Sequence, residues 1–274
     1  MIEWLRRLHR ARGGLALDLT LYLTGTAFAA FTAVASTLPA HRAWGVIALG
    51  AYLFAASLTL AQLLAPAGVS TRGRAWVVLA AWGATAIAPL VVQAWQRATG
   101  WPWRAQEEVP VIEDGGARLL GTGTPYLSRD EIGLLPDPLL GYLPYQPGMT
   151  VFGLPRALLG VGWYTDARVW FALVTAAALL AALKLLRDAG VAGTLLVRAA
   201  QVAVLPISAL TLATGGDDLP VLALCLLALA GAARGRWWLT GLSVGAAAAC
   251  KLFAWPIVIV LLVYAATRGR GPFA

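Results

Sequence analysis

Charge is what this chain has least of. Only 12% of its 274 residues are Asp, Glu, Lys or Arg, and acid is the scarcer sign, with 13 residues against 21 basic ones. Soluble domains carry about 25% charged residues. With 59% hydrophobic residues and a mean hydropathy of +0.73, the chain reads as an integral membrane protein. Histidine and cysteine are also scarce, two of each. Cys225 and Cys250 both fall inside apolar runs, where a thiol behaves as a small hydrophobe. Neither a disulfide framework nor a zinc site is indicated. The net charge of +8 would suggest nucleic acid in a soluble protein. Here the basic residues sit mostly in short loops between apolar runs, which is a topology signal, and no nucleic-acid partner is expected.

What the chain does have is long apolar runs rich in Gly, Ala and Leu. A bilayer-spanning helix needs about 20 such residues. Leu15 to Thr37, Trp44 to Ala65, Ala75 to Trp95, Ala167 to Leu186, Val191 to Thr214 and Leu219 to Ala233 are the candidates. Trp237 to Thr267 is too long for one ordinary span and is interrupted by Lys251 and Pro256, so it reads as two short helices turning there. The expected fold is all-α, a polytopic transmembrane helical bundle of about eight spans, packed closely through its small residues. The N-terminal MIEWLRRLHRARGG leads into a retained first helix rather than a cleaved signal. Residues 1–74 form an N-terminal transmembrane hairpin in this reading, and 75–274 a second module with a large loop at 96–166.

Lysine and arginine set the expected orientation. With the N-terminus inside, Arg6, Arg7, Arg10, Arg12, Arg72, Arg74, Lys184, Arg187, Arg234, Arg236, Arg268 and Arg270 gather on the cytoplasmic side, as the positive-inside rule requires. The polar break from Arg104 to Tyr164 then faces outward at the cell membrane. Tryptophans at helix ends, such as Trp44, Trp95, Trp163, Trp237 and Trp255, read as an interfacial belt.

Most of the acid lies on that outer side. Asp130, Glu131 and Asp137 read as a solvated loop. Glu108 and Glu113 flank VPVI, where Pro110 argues against a continuous helix; Gly115 to Leu120 reads as a short interfacial helix closed by Gly121 and Gly123. The block Tyr142 to Leu159, with Pro144, Pro147 and Pro155, reads as short helices lying on or re-entering the membrane. In TGGDDLP, Asp217 and Asp218 either cap the following helix or reach a sugar hydroxyl or a metal. Lys251, inside an apolar run with no acidic neighbour in sequence, is a functional candidate suited to a lipid-linked phosphate. Arg198 reads as snorkelling. A carboxylate in water above a membrane cavity, beside the aromatic platforms Tyr126, Tyr142 and Tyr145, suits general-base chemistry on a sugar hydroxyl.

Several of these stretches together carry a resemblance: Gly123 to Tyr126 as G-x-x-Y, YLPYQP, a helix opened by Asp166 and Arg168, GGDDLP, and GLSVGAAAACKLFAWP. From about Trp76 onward the chain resembles the GT-C superfamily of integral membrane glycosyltransferases, in particular the actinobacterial group dependent on polyprenyl-phosphate mannose. The resemblance implies a base on the first large outer loop, at Glu108, with Glu113 or Asp114 the next choices. It implies Lys251 near the lipid phosphate and Asp217 or Asp218 beside the sugar, and adds Tyr126, Tyr145 and Arg168 as substrate-binding candidates. The expected partners are the lipid bilayer, a polyprenyl-phosphate-linked hexose, mannose foremost, as co-substrate, and an extracytoplasmic glycolipid or glycan acceptor. No cofactor or metal ligand set is assigned, and a divalent metal stays open. Against the family pattern, the base position is a glutamate, two helices precede the matching stretch, and the chain ends at RGRGPFA, so a truncated or split member is expected. The rival readings are a non-catalytic membrane partner, and a lipid or solute transporter. The latter would want mid-helix charges and repeat symmetry, and little of either is found.

Overall fold

The computed structural model of the chain describes residues 13–65 and 70–268. Arg6, Arg7, Arg10, Arg12 and Arg270, the signal-like N-terminal stretch as far as Arg12 and the terminal GRGPFA lie outside the described residues. In chain order the main helices are α1 (Leu15–Ala35), α2 (Pro39–Leu64), α3 (Thr71–Ala98), α4 (Glu108–Thr122), α5 (Leu154–Leu159), α6 (Ala167–Asp188), α7 (Gly193–Ala200), α8 (Pro206–Thr214), α9 (Asp218–Ala233), α10 (Trp237–Cys250) and α11 (Trp255–Arg268), with two single helical turns at Arg129–Gly133 and Pro138–Gly141 between α4 and α5. No strand occurs among the described residues. The all-α polytopic architecture follows from the solvent, because in lipid every backbone N–H and C=O must be satisfied within its own helix. Among the described residues four helices, α1, α2, α3 and α6, are long and apolar enough to cross a membrane, or five with the bent pair α7 and α8 counted as one. The last three expected spans form as the shorter helices α9, α10 and α11.

The described residues divide into two compact units. One comprises the chain up to Ala105 with Gly190–Thr214, the other Gln106–Ala189 with Gly215 onward. In the first unit, Gly45 lets α2 lie directly on α1. A Cβ there would meet the Ala33 nitrogen at 2.6 Å and the Ala29 oxygen at 2.8 Å, the close approach that small residues permit. Pro89 supplies no N–H for the Thr85 carbonyl four residues back, and α3 loosens into a π turn at Gly83–Ile87. The Thr85 carbonyl is satisfied instead by the Trp44 indole N–H, which donates to it at 2.7 Å. Trp44 is therefore wholly buried, and its assignment to an interfacial belt is corrected; Trp95, Trp163, Trp237 and Trp255 are exposed as expected.

In the second unit, α6, α9 and α10 pack in sequence. Ala178, Ala182 and Leu185 meet Ala223, Leu227 and Ala230. The run after Trp237 breaks where it was expected to. Lys251 is extended (φ −146°, ψ 144°) at the end of α10, a short 3-10 turn follows at Leu252–Ala254, and α11 restarts with Pro256 as its second residue, where a missing N–H costs nothing.

Candidate functional site

The site is built in the second unit, from its polar loop and the ends of α9 and α10. Pro110 does not break α4, which runs unbroken from Glu108 to Thr122. It lies in the first turn, where the backbone N–H groups have no intrahelical partner in any case. The short helix expected from Gly115 therefore begins earlier, and it is closed by left-handed Gly123 (φ 78°) alone. Gly116 brings α4 against the chain at Gly153 and Leu154, where a Cβ would come within 2.6 Å of backbone. This contact positions α4 on the 3-10 segment Pro147–Gly153, which is in turn joined to α10: the Gln146 N–H donates to the Cys250 carbonyl at 3.1 Å, and Gly148 lies against the Ala249 carbonyl.

Those joints bring six of the candidate residues together. Lys251 Nζ lies 2.8 Å from an Asp217 carboxylate oxygen, donates also to Asp218, and stands 4.8 Å from the centre of the Tyr145 ring. The Tyr126 hydroxyl donates to the Tyr145 carbonyl at 2.8 Å, which fixes the segment carrying that ring. Glu108, the first residue of α4, reaches over the Gly215 backbone so closely that a Cβ on Gly215 would overlap its Oε1. Asp217 is buried, Glu108, Tyr145 and Lys251 are partly buried, and Asp218 is exposed.

The electrostatics are those of a crowded acidic site. Burial pushes the Glu108 carboxyl above the ordinary carboxylate value. Asp217 raises it further, while a backbone N–H and Lys251 pull it down. Burial likewise pushes up the Tyr145 hydroxyl, with the charge of Asp217 adding to the effect. Asp217 occupies the N-cap position of α9 without making a side-chain cap bond, so its carboxylate serves Lys251 rather than the helix end. Lys251, without an acid near it in sequence, has two in space.

The remaining candidates lie elsewhere in the unit. Glu113, five residues beyond Glu108 and so on another face of α4, is 4% exposed. It accepts from the Ala167 N–H at 3.1 Å and pairs with Arg156 at 3.1 Å. Asp114 is exposed. Arg168 is fully buried and is held by Asp166 through two bonds of 2.8 Å, while the same carboxylate caps α6 at the Arg168 N–H. Among the described residues no group of three or more His, Cys, Asp or Glu is arranged to hold a metal ion.

Residues 142–274 match the family model described as Glycosyltransferase family 87. The match covers just under half of the chain. It indicates a glycosyltransferase, and the apolar helices make it a membrane-embedded one. Neither a curated protein nor a solved structure matches the chain. Tyr145, Arg168, Asp217, Asp218 and Lys251 lie within the stretch matching family 87. Glu108 lies ahead of it, brought to the same site by α4.

Sequence reasoning missed a second polar cluster, in the first unit. Asp18 and Arg74 are both buried and joined at 2.7 Å, and Arg198 pairs with the same aspartate at 2.6 Å. The snorkelling assigned to Arg198 and the loop position assigned to Arg74 are corrected accordingly. An aspartate one turn into an apolar helix was the available signal, since a lone carboxylate does not stay there without a cation.

Proposed function

We propose that the chain transfers a hexose, with mannose the first candidate, from a polyprenyl-phosphate donor to an extracytoplasmic glycolipid or glycan. The observation that carries this reading is the meeting of Glu108, Asp217, Lys251 and Tyr145 around the Gly215 turn. Glu108 acts as the general base. Its raised affinity for a proton suits a group that must remove one near neutral pH. The acceptor hydroxyl gives its proton to Glu108 while its oxygen forms the new bond to the anomeric carbon from the side opposite the phosphate. The bond from that carbon to the phosphate oxygen breaks, its electron pair leaves with polyprenyl phosphate, and the anomeric configuration inverts. Lys251 stabilises the charge gathering on the leaving phosphate, and Asp217 and Asp218 orient the lysine and accept sugar hydroxyls. Beside Gln146 and Trp255 an apolar groove of about 520 Å³ runs along Gly241, Val244 and Ala248 of α10, a surface compatible with a hydrocarbon tail.

The test is transfer of radiolabelled hexose from the polyprenyl-phosphate donor to a membrane glycolipid fraction by the reconstituted full chain. Glu108→Gln and Lys251→Ala should each abolish transfer while membrane insertion and helix content stay unchanged. Full activity in both variants would overturn the assignment.

A further inference from the structure

The Asp18 cluster is unbalanced. Two guanidinium groups share one carboxylate: Arg74 meets both oxygens of Asp18, at 2.7 and 3.0 Å, and Arg198 meets one at 2.6 Å. The remaining contacts are neutral. Arg74 donates to the Gly13 carbonyl, and Arg198 to the Gly14 carbonyl and to Gln201 Oε1, each at 2.6 Å. One positive charge is left over among these groups in an apolar setting, where an unbalanced ion is costly.

The two arginines differ in access. Arg74 is 4% exposed, whereas the Arg198 side chain is 24% exposed and lines a groove of about 350 Å³. Leu17, Leu21, Val202 and Leu205 form the groove's apolar walls, and Gln201 stands beside Arg198 at its polar end. Thr20 and Thr24 add no polar demand, because their hydroxyls donate to carbonyls of their own helix. At one end of the groove Leu205, ahead of Pro206, leaves the helical conformation (φ −56°, ψ 137°). A residue before proline is disfavoured in the helical conformation, and the chain bends by 48° there.

We propose that this groove binds an anionic phospholipid, its phosphate on Arg198 and an acyl chain along the leucines and Val202. Guanidinium matches phosphate in charge and in bidentate geometry, and apolar walls beside it select a lipid over a free anion. The site lies in the first unit and is independent of the proposed transfer reaction.

Native mass spectrometry of the full chain, released from membranes of phosphatidylcholine with a minor share of phosphatidylglycerol, tests it. One phosphatidylglycerol molecule should stay bound per chain, with phosphatidylcholine at least about tenfold weaker, a difference of about 1.4 kcal/mol. Arg198→Gln should remove that preference. Thr24→Trp, which fills the groove and leaves the ion pairs in place, should also displace the lipid, and it decides the matter should Arg198→Gln fail to fold. Equal retention of the two lipids by the unmodified chain, unchanged retention in Thr24→Trp, or displacement by millimolar inorganic phosphate would each overturn the proposal.

Discussion

Glu108 stores a conflict between stability and activity. Its carboxyl is held above the ordinary value, first by burial and then by Asp217. A carboxyl whose folded pKa exceeds its unfolded one binds more protons folded than unfolded, so it favours the fold at low pH, and that advantage is lost as pH rises through the folded value. As a base it works only when deprotonated. Transfer should therefore fall as pH drops through a midpoint above the usual carboxylate range, read from the rate at limiting donor concentration. Glu108→Gln should remove that ionisation and lower the rate by roughly 100-fold or more, with a thermal midpoint unchanged or raised. A clear loss of thermal stability would mark Glu108 as a structural group. At this scale Glu108 was legible as an acid ahead of G-x-x-Y. The partners of Lys251 were not, because Asp217 and Asp218 stand more than thirty residues away and meet it only through the packing of α9 against α10. Arg198 was misread for the same reason, its carboxylate lying in α1.

Elements decide how well those residues are held. Turns and breaks were readable where one residue dictates the backbone, as at Lys251 and Pro256. Pro110 misled because its effect depends on where the helix begins, which proline alone does not fix. The Gly215 turn is the tightest joint of the site, with Glu108 Oε1 2.1 Å from where a Cβ would be. Gly215→Ala should push Glu108 aside and lower transfer by about 100-fold, since a displacement near 1 Å is enough for that, while secondary structure by circular dichroism is kept. Unchanged activity would place the working carboxylate elsewhere. Glu113 predicts the opposite pattern. It fastens α4 to the first residue of α6 and to Arg156, so Glu113→Gln breaks a largely buried ion pair. That should cost roughly 3 kcal/mol, read as a lower thermal midpoint, with transfer per folded molecule less affected than in Glu108→Gln. A stable but inactive Glu113→Gln protein would return Glu113 to the chemistry.

At the scale of the molecule, the all-α membrane class was legible from composition, because scarce charge and long apolar runs leave helices as the economical way to satisfy the backbone in lipid. The number of spans was less so. Apolar content does not fix helix length, and the stretch after Gly215 is divided by an exposed turn at Arg234–Arg236 and by the break at Lys251. Orientation depends on charge asymmetry instead. Lys184 and Arg187 lie in the last two turns of α6, Arg268 ends α11, and Arg234 and Arg236 lie between α9 and α10; the positive-inside rule places such basic helix ends and short loops in the cytoplasm. Cysteine labelling reads this directly, since Cys225 and Cys250 are buried and give little background. In intact cells a membrane-impermeant maleimide should modify Ser128→Cys, whose site lies in an exposed capping turn. It should modify Arg187→Cys, on the last turn of α6, only after the membrane is permeabilised. The reverse pattern would put Glu108 and its loop in the cytoplasm, where an extracytoplasmic acceptor could not reach the proposed base.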